Sequence, residues 1–360
     1  MQRIIDGWAR RALPMALVAG VLAAFGAGFG AVLATTPATA QEITLRVHHF
    51  LPPPSTTHKD FIVPWAETVE AESGGRIKIE IYPAMQLGGK PPQLYDQVRE
   101  GVADIVWTLP GYTAGRFPTV EVFELPFMAA SAEATSQAAH EFYENHAREE
   151  FADVHPLMVH VHAPGTFHMR GREVRSLEDL KGLKVRAPTR MTNIALKTLG
   201  ATPVGMPVPA VPEALSRGVV EGTILPYEVT RPLKVHELTQ SHTEIGGERG
   251  LYTAVFLFAM NKARYESLPA DLRQVIDDNS GIPLAKKIGR LWDEAEQPGR
   301  EAAAKLGDSF FTIEGEELAR WQAATAGVAD TWIAEMNKAG KDGKALLEEA
   351  RALIAKYATE

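Results

Sequence analysis

The residue in this chain best placed to do chemistry is Arg186. It ends a short apolar strand carrying Leu183 and Val185, and Pro188 and a helix follow it. A guanidinium held there is an always-charged fork that can grip a carboxylate with two parallel hydrogen bonds. The competing reading is a surface arginine paired with Glu178 or Asp179. Tyr112 and Tyr227 end two strands of matching sequence; they either face each other across a cleft or pack in the core with satisfied hydroxyls. Trp107 also ends a strand, and either stacks on a ligand or lies buried. Phe50 and His58 flank the loop after the first strand, a usual ligand position in α/β folds. Phe167 and Arg170 open the second half of the chain. Arg170 is a second anion contact or a solvated side chain. Glu228 is a hydrogen-bond acceptor for a ligand or a helix-start residue.

Other chemistries lack their parts. His160 and His162 share a strand face, which permits metal binding, but no further partner is placed to join them, and they read as structural. His140-Glu141 and His146 have the wrong spacing for a zinc protease. No Gly-x-Ser-x-Gly elbow and no phosphate loop occurs outside the first forty residues. The chain has no cysteine, which excludes disulfides and thiol chemistry. The expectation is therefore a protein without catalytic residues, metal or cofactor.

The N-terminus reads as an export signal. Arg3, Arg10 and Arg11 precede an apolar run from Leu13 to Ala34, and Ala38-Thr39-Ala40 precedes Gln41 as a small-x-small cleavage site. An uncleaved anchor is the alternative, and Arg10-Arg11 leaves the twin-arginine route open. Removal of residues 1–40 takes away three Arg and one Asp, so the net charge moves from −8 to −10. An acidic surface argues against a nucleic-acid partner.

Two α/β halves are expected after that. ITLRVHHF (43–50) is a strand, residues 58–73 a helix ending at Gly74-Gly75, RIKIEIY (76–82) a strand, residues 91–100 a helix and 102–107 a strand. The second half repeats the pattern: strand 183–187, helix 189–199, strand 201–205, helix 210–217, strand 219–225. The halves also match in letters, since Arg99-Glu-Gly101-Val-Ala-Asp104 leads to Leu109-Pro110-Gly-Tyr112 and Arg217-Gly218-Val-Val-Glu221 leads to Leu225-Pro226-Tyr227. Residues 120–127 form an apolar connector, 132–151 a helix, 156–162 a crossing strand and 250–261 a returning strand. Residues 282–306 form one long helix that Pro298 bends or breaks. Helices over 318–336 and 343–357 complete a hinged two-domain clamshell whose ligand sits at the strand carboxyl ends.

Several motifs in order resemble a known family. They are Phe117-Pro118 through Leu125-Pro126-Phe127, LEDLKGLKVR (177–186), LGATP (199–203), GVVEG (218–222) and MNKA (260–263). The chain resembles the solute-binding proteins of tripartite ATP-independent periplasmic (TRAP) transporters, the DctP-like family. That resemblance implies two α/β domains with a long helix spanning both, an organic-acid ligand and delivery to TRAP permease subunits in the membrane. It places the carboxylate-gripping arginine on Arg186. Where sugar-acid binders of the family carry an Asn, this chain has Leu225, which cannot hydrogen-bond a hydroxyl or second carboxylate. The expected ligand is thus a monocarboxylate with an apolar or aromatic body. The alternatives are the receptor of an ATP-driven importer and a C4-dicarboxylate receptor. The expected domains are 41–163 plus about 252–291, 164–251 plus about 292–340, and a C-terminal helix over 341–360. The expected protein is a periplasmic monomer.

Overall fold

The computed structural model describes residues 43–359; the expected export signal lies outside them. The strands fall into two sheets. The first contains β1 (Ile43–His49), β2 (Ile77–Tyr82), β3 (Ile105–Thr108), β4 (Val154–Val161) and β10 (Val255–Asn261), in the order β2-β1-β3-β10-β4. The second contains β5 (Thr166–Met169), β6 (Lys184–Ala187), β7 (Thr202–Gly205), β8 (Gly222–Leu225), β9 (Ser241–Ile245) and β11 (Ser309–Ile313), in the order β7-β6-β8-β5-β9-β11. Each sheet has three parallel strands followed by an antiparallel one, β10 beside β3 and β5 beside β8. The two lobes therefore repeat one topology, as the matching letters imply. The parallel crossovers cover both sheet faces with helices, which explains why β3 and β8 are buried throughout.

The repeated acidic residue has the same task in both lobes. Asp104 Oδ2 accepts from Arg46 N at 2.8 Å, and Glu221 Oε2 accepts from Lys184 N at 3.0 Å. Each carboxylate thus satisfies a backbone donor of the neighbouring parallel strand. The preceding helices end on Gly101 and Gly218, with φ of 76° and 70°. A left-handed residue closes a helix cheaply only when it lacks a Cβ. The chain then passes through exposed Val102 and Val219 before pairing, so these strands begin three residues later than expected.

The helix Gly281–Lys305 runs unbroken through Pro298, so of the expected bend or break the break does not occur, and the helix is a continuous strut. It joins both lobes by the same device used twice. Asp293 accepts from Ala132 N and Glu133 N at 2.7 and 2.9 Å, at the start of the helix Ala132–Phe142, which packs on the first sheet. Glu296 accepts from Tyr227 N and Glu228 N at 2.9 and 3.0 Å, at the end of β8. Orphan N–H groups at turn and helix starts are natural partners for carboxylates. Beside each clamp sits a glycine: a Cβ on Gly289 would strike Ala132 O, and one on Gly299 would strike Tyr227 O.

Other expectations need correction. β5, β9 and β11 were not anticipated, and the returning strand begins only at Val255, with residues 251–254 buried but unpaired in the sheet. The helix expected to reach residue 151 keeps α geometry only to Phe142 and continues in wider, then tighter, turns.

Candidate ligand-binding site

The two Leu-Pro turns meet between the lobes. After β3 the chain runs through Leu109 and Pro110 to Tyr112; after β8 it runs through Leu225 and Pro226 to Glu228. Between them lies a small cavity. Its apolar walls include Phe50, Trp107 and Phe256 from one lobe and Val208, Leu225 and Val229 from the other. Phe50 lies 4.8 Å from Trp107, and Trp107 stacks on Phe256 at 4.6 Å and 10°. Trp107 Nε1 donates to His160 Nε2 at 2.9 Å, which fixes the indole plane and the imidazole tautomer. Such walls suit a flat, apolar body.

Arg186 supplies the one guanidinium or ammonium among the lining residues. Its side chain is 1 % exposed. Nε donates to Met206 O at 3.0 Å and Nη1 to Ile224 O at 3.3 Å, while Nη2 is buried without a hydrogen-bond partner. Burial pulls its pKa below the ordinary guanidinium value, and the groups that oppose this are the hydroxyls of Tyr112 and Tyr252, not a carboxylate. The charge persists, because a guanidinium does not deprotonate in a protein. A buried cation without a counter-charge costs several kcal/mol. An anion at Nη2 would relieve that cost.

Three further polar groups line the cavity near this cation. Tyr112 accepts a hydrogen bond from Val208 N at 2.9 Å, which ties the first lobe to the second at the cavity wall. Tyr252 has a buried hydroxyl with no partner. His162 donates from Nδ1 to Ala163 O at 2.5 Å, and burial pulls its pKa down to about 4, so the ring is neutral at pH 7. Glu228, 7 % exposed, presents an unpartnered Oε2. Burial, then the nearby Glu296, push its pKa up to about 8, so it is mostly protonated at neutral pH. The cavity thus carries close to one net positive charge.

The structure brings together Arg186, Tyr112, Trp107, Phe50, Leu225 and Glu228 from the expected set. It does not bring Tyr227, His58, Phe167 or Arg170 to the cavity. Tyr227 follows Leu225 by two positions, whereas Tyr112 follows Leu109 by three. In the tight turns that follow, one residue is a rotation of about 120°. The Tyr227 ring therefore faces the lobe interior, edge-on to His168 at 5.0 Å, with its hydroxyl donating to Glu244 at 3.1 Å. His58 bonds His49 at 3.1 Å through ring nitrogens. Phe167 lies fully buried and edge-on to Trp321 at 5.6 Å. Arg170 donates to Leu215 O. Because β5 runs antiparallel to β8, Thr166 is at the Leu225 end and Met169 at the far, Gly222 end, so Arg170 points away.

Sequence reasoning missed Tyr252, Phe256 and the cavity position of His162. The two aromatics were hidden in an apolar run read as one strand. One signal existed: Gly165 has no side chain, and a Cβ there would collide with the Tyr252 ring.

Two like lobes closed over a buried cation define a two-lobed solute-binding protein. The chain belongs to the bacterial extracellular solute-binding protein family 7, DctP, whose profile matches residues 47–335. It is similar, at 52% identity and a TM-score of 0.87, to a marine-metagenome TRAP solute binding protein from an unidentified microbe, specific for aromatic acid ligands and solved with 3-hydroxybenzoate; 88% of this chain and 99% of that one are covered. A TRAP solute binding protein of Rhodoferax ferrireducens, solved with copurified benzoate, is 49% identical with a TM-score of 0.87 over the same shares. Over 331 residues, 90% of this chain and 96% of the other, it is 27% identical to the outer membrane transporter protein TsaT of Comamonas testosteroni. The TRAP resemblance and the two-lobed α/β fold hold, and the receptor of an ATP-driven importer is set aside.

Proposed function

We propose that this protein is an extracytoplasmic receptor for an aromatic monocarboxylate, held by Arg186 and handed to TRAP permease subunits. The observation that carries this reading is Arg186 Nη2: a buried cationic donor without a partner, in a cavity walled by Phe50, Trp107 and Phe256. The ligand carboxylate lies on Nη2, with the Tyr252 hydroxyl as a second donor, and the ring lies against the aromatic wall. The benzoate and 3-hydroxybenzoate bound by the two similar receptors support the class.

A single positive charge favours one carboxylate over two. A second carboxylate would be buried beside Leu225 and Val229 without a cation, at a cost of several kcal/mol. The C4-dicarboxylate alternative is disfavoured on this ground. The remaining expectations belong to the same proposal: removal of residues 1–40 on export, a periplasmic location, a monomer, binding without catalysis, and domains bounded near residues 163, 251 and 291.

Isothermal titration of the mature protein with benzoate, 3-hydroxybenzoate and succinate tests the reading. Benzoate should bind at least about a hundredfold more tightly than succinate, the equivalent of about 3 kcal/mol. Equal or tighter succinate binding would overturn it.

A further inference from the structure

We propose that Glu228 determines specificity for a ring hydroxyl, its free carboxyl oxygen hydrogen-bonding a hydroxyl on the aromatic acid whose carboxylate lies on Arg186. This rests on the aromatic-acid reading and assigns the second polar contact of the same ligand.

The geometry comes from the internal repeat. Tyr112 is the third residue after Leu109, and Glu228 is the third after Leu225. Both line the cavity, so the two turns present their third residues to the same space. In the first lobe that position carries a hydroxyl whose oxygen is already taken by Val208 N. In the second it carries a carboxyl whose Oε2 is buried and unpartnered.

Glu228 is held for the task. Glu296 accepts from its backbone N–H at 3.0 Å, and the Thr56 side chain of the opposite lobe lies within reach of its carboxyl group. The backbone contact fixes the turn that carries Glu228, and Oε2 is left unused. A buried polar oxygen without a partner costs about 1–3 kcal/mol, and a ligand hydroxyl would recover that cost. Its surroundings favour a neutral acid: burial beside Leu225, Pro226 and Val229 comes first, and Glu296 and Asp60 push the same way. A neutral carboxyl both donates and accepts, so it matches a phenol or alcohol. Leu225 leaves the hydroxyl no other side-chain partner on that strand end.

Affinities of benzoate, the three hydroxybenzoates and the matching fluorobenzoates are measured on the wild-type, Glu228→Gln and Glu228→Leu proteins. At least one hydroxybenzoate should bind wild type about tenfold more tightly than benzoate, the yield of one good buried hydrogen bond. The fluorobenzoate of that pattern, similar in size but unable to donate, should lose the advantage. Glu228→Gln, which keeps a donor and an acceptor, should retain the preference, and Glu228→Leu should erase it. Equal binding of benzoate and all hydroxybenzoates, or a preference that survives in Glu228→Leu, overturns the assignment and leaves the Arg186 reading standing. Failure of wild type to bind any of these acids overturns both. The fluorobenzoate comparison uses wild type alone, so it decides even where a variant folds poorly.

Discussion

Trp107 and Phe256 stack with ring centroids 4.6 Å apart and planes 10° from parallel, on the adjacent strands β3 and β10. The pair makes an aromatic wall before any ligand arrives. Aromatic contacts of this kind contribute about 0.5–1.5 kcal/mol beyond area burial. Phe256→Leu should therefore weaken benzoate binding by about three- to tenfold, read by calorimetry. An aliphatic carboxylate such as hexanoate should change much less; an equal loss for both would deny the ring a specific role.

Arg186 should have opposite effects on binding and on empty-state stability. Arg186→Met keeps much of the volume and removes an unpaired buried charge. Benzoate affinity should fall by about ten- to a hundredfold, as the charge-assisted hydrogen bond at Nη2 is lost. The ligand-free melting temperature should hold or rise, because replacing a buried charge by a well-packed apolar side chain is often stabilising. A clear drop in ligand-free stability would instead make the guanidinium a structural brace through Met206 O and Ile224 O.

Tyr112 joins the lobes through one hydrogen bond to Val208 N. Tyr112→Phe leaves that N–H without its partner when the lobes are closed. A lost bond of this kind is worth about 1 kcal/mol, so stopped-flow fluorescence should show ligand release about fivefold faster. Unchanged release would mean that this bond does not contribute to closure.

Gly299 should tolerate no side chain. Its Cβ would meet the Tyr227 carbonyl, a backbone atom held by the Glu296 clamp. Gly299→Ala should displace the Tyr227–Glu228 turn, costing about 1–3 kcal/mol in urea denaturation and weakening ligand binding. Gly327→Ala, in the helix Gly315–Lys338, has no neighbouring atom to meet and should be neutral or slightly stabilising.

The ligand-free protein should be most stable near pH 6–7. Burial pulls His49, His140, His160, His162 and His168 down to about 3–4, so they are neutral when folded but protonate below about 6.5 when unfolded. Their stabilisation is present above pH 6.5 and lost as pH falls. Burial pushes Glu124, Glu228 and Glu296 up to about 8, so they hold protons that the unfolded chain releases near 4.5. Their stabilisation is present at low pH and lost as pH rises towards 8. Between pH 4.5 and 6.5 the histidines outnumber the acids and stability climbs; above 6.5 the acids alone act and it falls. Each proton contributes about 1.4 kcal/mol per pH unit. Glu124→Gln, outside the cavity lining, should flatten the alkaline limb in thermal melts across pH; a flat wild-type profile would contradict the burial of these acids.

The lobes were legible in the sequence because repetition betrayed them. Two helices ending on glycine, each followed by an acidic residue and a Leu-Pro turn, are enough to suggest paired α/β units. Arg186 was legible because a guanidinium at an apolar strand end has few other uses. The far side of the cavity was harder to read. Tyr227 and Glu228 are neighbours in the chain, and only the rotation of one tight turn decides which of them faces the cavity. β9 and β11 were missed because SHTEI and SFFTI lack the unbroken apolar run of a central strand; they extend the sheet beyond β5. Arg170 was misplaced because strand direction is not written in composition.

The carboxylates of Asp293 and Glu296 stand three positions apart, less than one helical turn and about 4.5 Å along the axis. A motion that parts the lobes while both fastenings hold must pivot inside that single turn. The rims then travel far and the spine hardly at all. Spin labels on the rims would record a large separation, whereas a pair spanning residues 285 and 300 would stay at constant distance, like the two ends of a door pin.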